Sequence, residues 1–173
     1  MKIVFKGAIS DKDKVVINET LDYLSEKLSP VFSSITLSHL TIEIEEKLDS
    51  MGKVNFGKEH YNEHDGVYYW QPTITLRKDV VEKTDMFKAV VCHEFMHFID
   101  YVKNPFVRMF HTFELWEFME LEREEARELK LEYELGWDNW IDERLAKIGI
   151  ENPQKQIIKK NRKLIEWHTP SGL

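Results

Sequence analysis

The stretch "VVCHEFMHFIDYV", residues 90–102, decides the fold and points to the chemistry. Apart from His93, Glu94, His97 and Asp100 it is apolar, and with its flanks it is long enough for a buried helix. Within it, His93, Glu94 and His97 form the pattern H-E-x-x-H. Residues four apart lie on one face of a helix, so the two imidazoles can point at one shared position. Zinc binds imidazole nitrogens well, and Glu94 is placed to act as a general base on a nearby water.

Three ionisable side chains inside an apolar helix would cost several kcal/mol if they were buried without partners. A bound metal ion supplies that partner, and the alternative interpretation is a pair of histidines hydrogen-bonded in the core. Two neighbouring signals favour ordinary structure. Cys92 follows two valines and is turned about 100° from His93 on a helix, which predicts packing. "HYNEH", residues 60–64, has the reversed H-x-x-E-H pattern without helical periodicity, which predicts exposed loop histidines.

The flanking segments predict an α+β fold. Strands are expected in residues 2–9, 41–45, 53–57 and 66–78, with a helix over 11–29, and together they suggest a small, mostly antiparallel sheet. The active-site helix should begin at Thr84 or Asp85 and end near Lys103, before Asn104-Pro105. A connector then leads to an acidic helix over 112–135 closed by Gly136, followed by short helices over 137–147 and 153–167.

We therefore expect one domain over residues 1–173, because this length supports one core and not two. Residues 1–83 should form the sheet and first helix. Residues 84–135 should form the helix that carries the two histidines and the acidic helix, whose glutamates are candidate metal ligands. Residues 136–173 should form a helical tail. The sheet should pack on the two central helices.

A catalytic zinc ion usually has three protein ligands and one open position, so a third ligand is needed. Asp100 lies roughly 4.5 Å beyond His97 along a straight helix, which predicts that it orients a ligand or pairs with a cation. The acidic helix offers better candidates. Its apolar stripe has a gap filled by Glu122, which would therefore face the core. Glu125 is the neighbouring alternative, and Glu122 is favoured over it.

The pattern "HEFMH", followed about 25 residues later by a glutamate in "ELEREEA", resembles the gluzincin branch of the zincin metallopeptidases, especially its short, single-domain prokaryotic and phage members. The resemblance implies Zn²⁺ held by His93, His97 and Glu122, with Glu94 as the catalytic base. It also implies a peptide or protein substrate held along an edge strand, for which "TITLR" is the candidate. A second electrophile is usual in such sites, and the candidates are Tyr133, His111 and Tyr101.

Composition narrows the remaining possibilities. The net charge of −7 argues against general nucleic-acid binding, and the basic run over 155–163 is best interpreted as a solvated helix face. The opening "MKIVFKGAIS" lacks the apolar core of a signal peptide, and no later stretch is long and apolar enough to cross a bilayer. A single cysteine is typical of proteins in a reducing compartment. We therefore expect a cytoplasmic protein. Three alternatives remain: a non-catalytic zinc-binding protein, an autoinhibited or self-associating enzyme, and a nucleic-acid-associated factor that uses the basic tail.

Overall fold

The computed structural model describes residues 2–29, 35–112 and 122–152. Within these ranges the chain is mixed α/β with a small sheet, which agrees with the expected α+β class. The strands are β1 (Ile3–Lys6), β2 (Leu40–Glu45), β3 (Gly52–Asn55), β4 (His60–Asn62), β5 (Val67–Tyr69) and β6 (Thr73–Arg77). The helices are α1 (Asp11–Lys27), α2 (Lys78–Val81), α3 (Thr84–Lys103), α4 (Pro105–Thr112) and α5 (Arg123–Lys147).

The described part of the sheet has the strand order β1-β2-β6-β3. β1 and β6 are both parallel to β2, whereas β3 runs antiparallel to β6. The predicted mostly antiparallel sheet is therefore wrong. The reason is the connection through α1, because a helical crossover returns the chain in its original direction. "TITLR" forms the interior strand β6, so β3 is the edge strand next to it and β1 is the edge strand at the other side, while β4 and β5 form a separate hairpin.

Helix α3 carries the H-E-x-x-H pattern through the centre of the fold. Its start and end agree with the prediction, although Lys83 occupies the N-cap position in place of Thr84 or Asp85. Asn104 ends the helix in an extended conformation, as a residue before proline should. Phe87, Val91, Phe95 and Phe98 lie on the sides of α3 away from the histidines, and they are buried in the main core.

Helix α5 crosses α3 and runs through Gly136 to Lys147, so the prediction that Gly136 ends a helix is wrong. Tyr133, Trp137, Ile141 and Leu145 recur every four residues and are all buried, forming one apolar stripe. Burying that stripe outweighs the cost of about 1 kcal/mol for one glycine inside a helix. The predicted helix over 137–147 is thus the second half of α5, while residues 113–121 and the predicted helix over 153–167 lie outside the described residues.

The predicted connector after Asn104 is also helical, and it forms α4. None of the helices in the described ranges has the combination of length and apolar content that is needed to cross a membrane.

Candidate metal centre

The two histidines of α3 point at one position, as their spacing predicts. The Nε2 atoms of His93 and His97 lie 3.0 Å apart, and both side chains are largely buried. Asp138 of α5 completes the group, because its Oδ1 atom lies 3.0 Å from His97 Nε2 and 3.5 Å from His93 Nε2. These are the donor atoms that converge in the described part of the chain.

The triangle formed by these three atoms has the dimensions of a zinc site. Zinc–nitrogen and zinc–oxygen bonds of 2.0–2.1 Å in a tetrahedron place neighbouring ligand atoms about 3.3 Å apart. The observed edges of 3.0, 3.0 and 3.5 Å bracket that value. Two imidazoles and one carboxylate are also the ligand types that zinc accepts in catalytic sites. The donor set and its spacing could therefore hold a divalent metal ion.

A second carboxylate orients His93. Asp142, one turn after Asp138 on α5, is 8% exposed and places Oδ1 2.8 Å from His93 Nδ1. If His93 Nδ1–H donates this bond, Nε2 keeps its lone pair for a metal. Asn152 in turn donates from Nδ2 to Asp142 Oδ2 at 3.1 Å. This chain of contacts orients the imidazole and favours a proton on Nδ1.

His97 is positioned mainly by packing. The ring of Trp137 meets it edge to face, with centroids 4.2 Å apart. Trp137 Nε1 donates to Asp100 Oδ2 at 2.8 Å, and the Arg144 guanidinium makes a bidentate pair with the same carboxylate. Asp100 therefore pairs with a cation, as predicted, and holds Trp137 against His97.

The electrostatics of the centre favour a positive charge between the carboxylates. Burial acts to lower the pKa of His93, but hydrogen bonds to Asp138 and Asp142 outweigh it and raise the pKa to about 10. Burial acts to raise the pKa of Asp138, yet its bonds to His93 and His97 hold that pKa well below the usual range. The carboxylates thus favour a positive charge between them, in the place where a metal cation would sit.

Glu94 lies beside the donor triangle without being part of it. It is 9% exposed, and burial raises the pKa of its carboxyl group, an effect that the charges of His97 and His93 only partly offset. It lines a cleft of about 760 Å³ together with both histidines and Asp138. The edge strand β3 and Phe56, which follows it, also line this cleft.

The structure places the predicted third ligands elsewhere. Glu122 is the N-cap residue of α5 and is exposed, so the prediction that it faces the core is wrong. Its backbone N–H donates to the Glu125 carboxylate at 3.4 Å, and Glu125 is exposed as well. Among the described residues, Asp138 is the carboxylate that accompanies the histidines. A centre of two histidines and an aspartate departs from the glutamate ligand of the gluzincin pattern.

The three candidates for a second electrophile have different positions. His111 lines the cleft. Tyr101 stacks on Phe56 with ring centroids 4.2 Å apart, and Tyr133 is buried against Phe110. His111 is therefore the candidate with direct access to the cleft. The reversed "HYNEH" pattern lies in β4 and the turn after it, where His60 and His64 are exposed, as predicted.

Sequence reasoning missed Asp138, Asp142 and Asn152. A signal for the first two exists in "WDNWID", where two aspartates four residues apart sit beside the buried stripe positions Trp137 and Ile141. Ending the helix at Gly136 separated this segment from the acidic helix and concealed the signal.

Comparison with known proteins gives no family assignment. A scan against protein-family models, a search of curated proteins and a search of solved structures each found no match for this chain.

Proposed function

We propose that this protein is a zinc-dependent metallopeptidase of zincin type, in which His93, His97 and Asp138 hold the metal and Glu94 is the general base. The observation that carries the proposal is the donor triangle, with edges of 3.0–3.5 Å, beside a buried glutamate in an open cleft. Among the described residues three donor atoms converge beside a cleft, an arrangement typical of a catalytic zinc site, whereas a structural site is closed by a fourth ligand.

The chemistry divides between the ion and the chain. A bound zinc ion supplies Lewis-acid polarisation of a carbonyl group and of water. Glu94 accepts a proton from the attacking water and delivers it to the leaving amine nitrogen. Its raised pKa suits both steps, because a base that must also return the proton works best when its pKa approaches the working pH.

The edge strand supports an extended peptide as the substrate. Arg77 N–H bonds to Met51 carbonyl in the β3–β6 ladder, and hydrogen-bonded pairs alternate along antiparallel strands. The backbone groups of Gly52 and Val54 therefore point away from β6, and both residues line the cleft. The Gly52 carbonyl also accepts from Ser50 Oγ at 2.5 Å; within the described ranges this leaves one lone pair and the Val54 backbone groups for a substrate strand.

The test uses zinc-loaded protein and a fluorescently labelled unfolded protein as substrate. We expect cleavage that a chelator abolishes and that added zinc restores. Glu94→Gln should lose turnover and keep its zinc, because Glu94 is not a donor atom of the triangle. Glu143→Gln, an exposed position on α5, is the matched control and should remain active. Full activity in Glu94→Gln, or wild-type cleavage that is indifferent to zinc, would contradict the proposal.

A further inference from the structure

Gly52, the first residue of β3, lies directly against the proposed catalytic base. A Cβ atom at this position would come 3.0 Å from Glu94 Oε1, 3.0 Å from Glu94 Cγ and 2.7 Å from Val90 Cγ1. The first two distances are tighter than ordinary packing, and the third is shorter than real Cβ contacts reach. Any larger residue therefore forces the strand, the glutamate or the valine to move.

The backbone does not explain this glycine. Four other glycines of the described chain have positive φ angles, which favour glycine, but Gly52 is not among them. It sits in a regular strand, where glycine is unfavourable because it has no side chain to pack. The close approach of Glu94 and Val90 is thus the local reason that the structure gives for a glycine here.

Gly52 also faces the side of β3 where a substrate would pair. Its backbone groups point away from β6, to the side where no described strand pairs with β3, while Glu94 and Val90 fill the space where its side chain would be. Gly52 thus lies against the proposed general base, Glu94, on one face of the sheet, and its backbone groups lie where a substrate strand would pair with β3.

We infer that Gly52 is a positioning residue, whose missing side chain sets the separation between a peptide paired along β3 and the Glu94 carboxylate. This inference rests on the proposed function. Its physical basis is that proton transfer requires the base within hydrogen-bond reach of the water, so a displacement of a few tenths of an ångström is felt in the rate.

Gly52 faces both Val90 and Glu94, so the effect of a larger residue on packing against Val90 can be separated from its effect on the position of Glu94. Gly52→Ala should destabilise the fold, mostly through the 2.7 Å contact with Val90. Val90→Ala removes the methyl group in that contact, so the double variant should recover much of the melting temperature lost in Gly52→Ala. It keeps the clash with Glu94, and Val90→Ala alone is the matched control.

We expect the double variant to bind zinc like Val90→Ala but to have a kcat lower by about 10–100-fold, with a smaller change in KM. A crystal structure of the double variant should show the Glu94 carboxylate displaced from its position against β3. A kcat equal to that of Val90→Ala would overturn the inference. If the wild type cleaves no peptide, the proposed function fails, and the crystal structure still decides: an unmoved Glu94 carboxylate overturns the positioning role, and a displaced one supports it.

Discussion

Replacing Asp142 with alanine is predicted to weaken zinc binding by about 10–100-fold. The Asp142 carboxylate does not belong to the donor triangle, but its Oδ1 atom lies 2.8 Å from His93 Nδ1. Asp142 is only 8% exposed, so this contact is shielded from water. Without it, the imidazole can change tautomer and rotate, and both changes remove the Nε2 lone pair from the metal. The predicted factor corresponds to about 1.4–2.8 kcal/mol of binding free energy.

The neighbours of Asp142 predict a graded series. Asp142→Asn keeps an oxygen that can accept from His93 Nδ1–H, so its loss should be smaller than that of alanine. Asn152→Ala removes only the 3.1 Å bond that orients the Asp142 carboxylate, and its effect should be smaller still. This order follows from how much of the contact between Asp142 and His93 Nδ1 each change removes.

Zinc affinity would be measured by competition with a chromogenic chelator at pH 7.5, with the fold of each variant checked by circular dichroism. Glu143→Ala is the control, because it removes an exposed carboxylate from the next position of the same helix. A folded Asp142→Ala variant that binds zinc as tightly as Glu143→Ala would refute the orienting role of Asp142.

Three further predictions concern the rest of the fold. Burial raises the pKa of Cys92 to about 12, so roughly one thiol in ten thousand is ionised at pH 8. Cys92 should therefore react with a disulfide reagent only after denaturation. Rapid reaction in the native protein would contradict its buried position. Asp100→Ala leaves Arg144 buried without its carboxylate and should cost about 3–5 kcal/mol in urea unfolding, whereas a loss below about 1 kcal/mol would show that the pair is unimportant. Gly57→Ala should lower the melting temperature, because Gly57 has φ +72 and a Cβ atom would lie 2.3 Å from Gln71 carbonyl oxygen; an unchanged melting temperature would contradict that contact.

The central helix could be predicted from sequence because its information is local. The apolar run and the Asn104-Pro105 stop fix α3, and the four-residue spacing alone brings His93 and His97 together. The third donor depends on a helix that is far away in sequence. Predicting Asp138 requires knowing that α5 continues through Gly136, and this is decided by burial of a stripe against α3 rather than by the propensity of one residue.

The strand directions illustrate a different kind of error. The strand segments were predicted from their alternating pattern, which describes the faces of a strand and carries no information on its direction. The order strand, helix, strand over residues 3–45 was available, and it predicts a parallel β1–β2 pair. The position of β3 at the sheet edge depends on long-range pairing with β6, which no local pattern specifies.

The most direct test of the account is a zinc titration of four proteins: wild type, Asp138→Ala, Glu122→Ala and His93→Ala. The structure predicts one tightly bound zinc ion in the wild type and in Glu122→Ala, because Glu122 is exposed at the start of α5. Asp138→Ala and His93→Ala should each lose tight binding, since each removes one corner of the donor triangle. Tight zinc binding that survives in Asp138→Ala and disappears in Glu122→Ala would contradict the metal centre described for this fold.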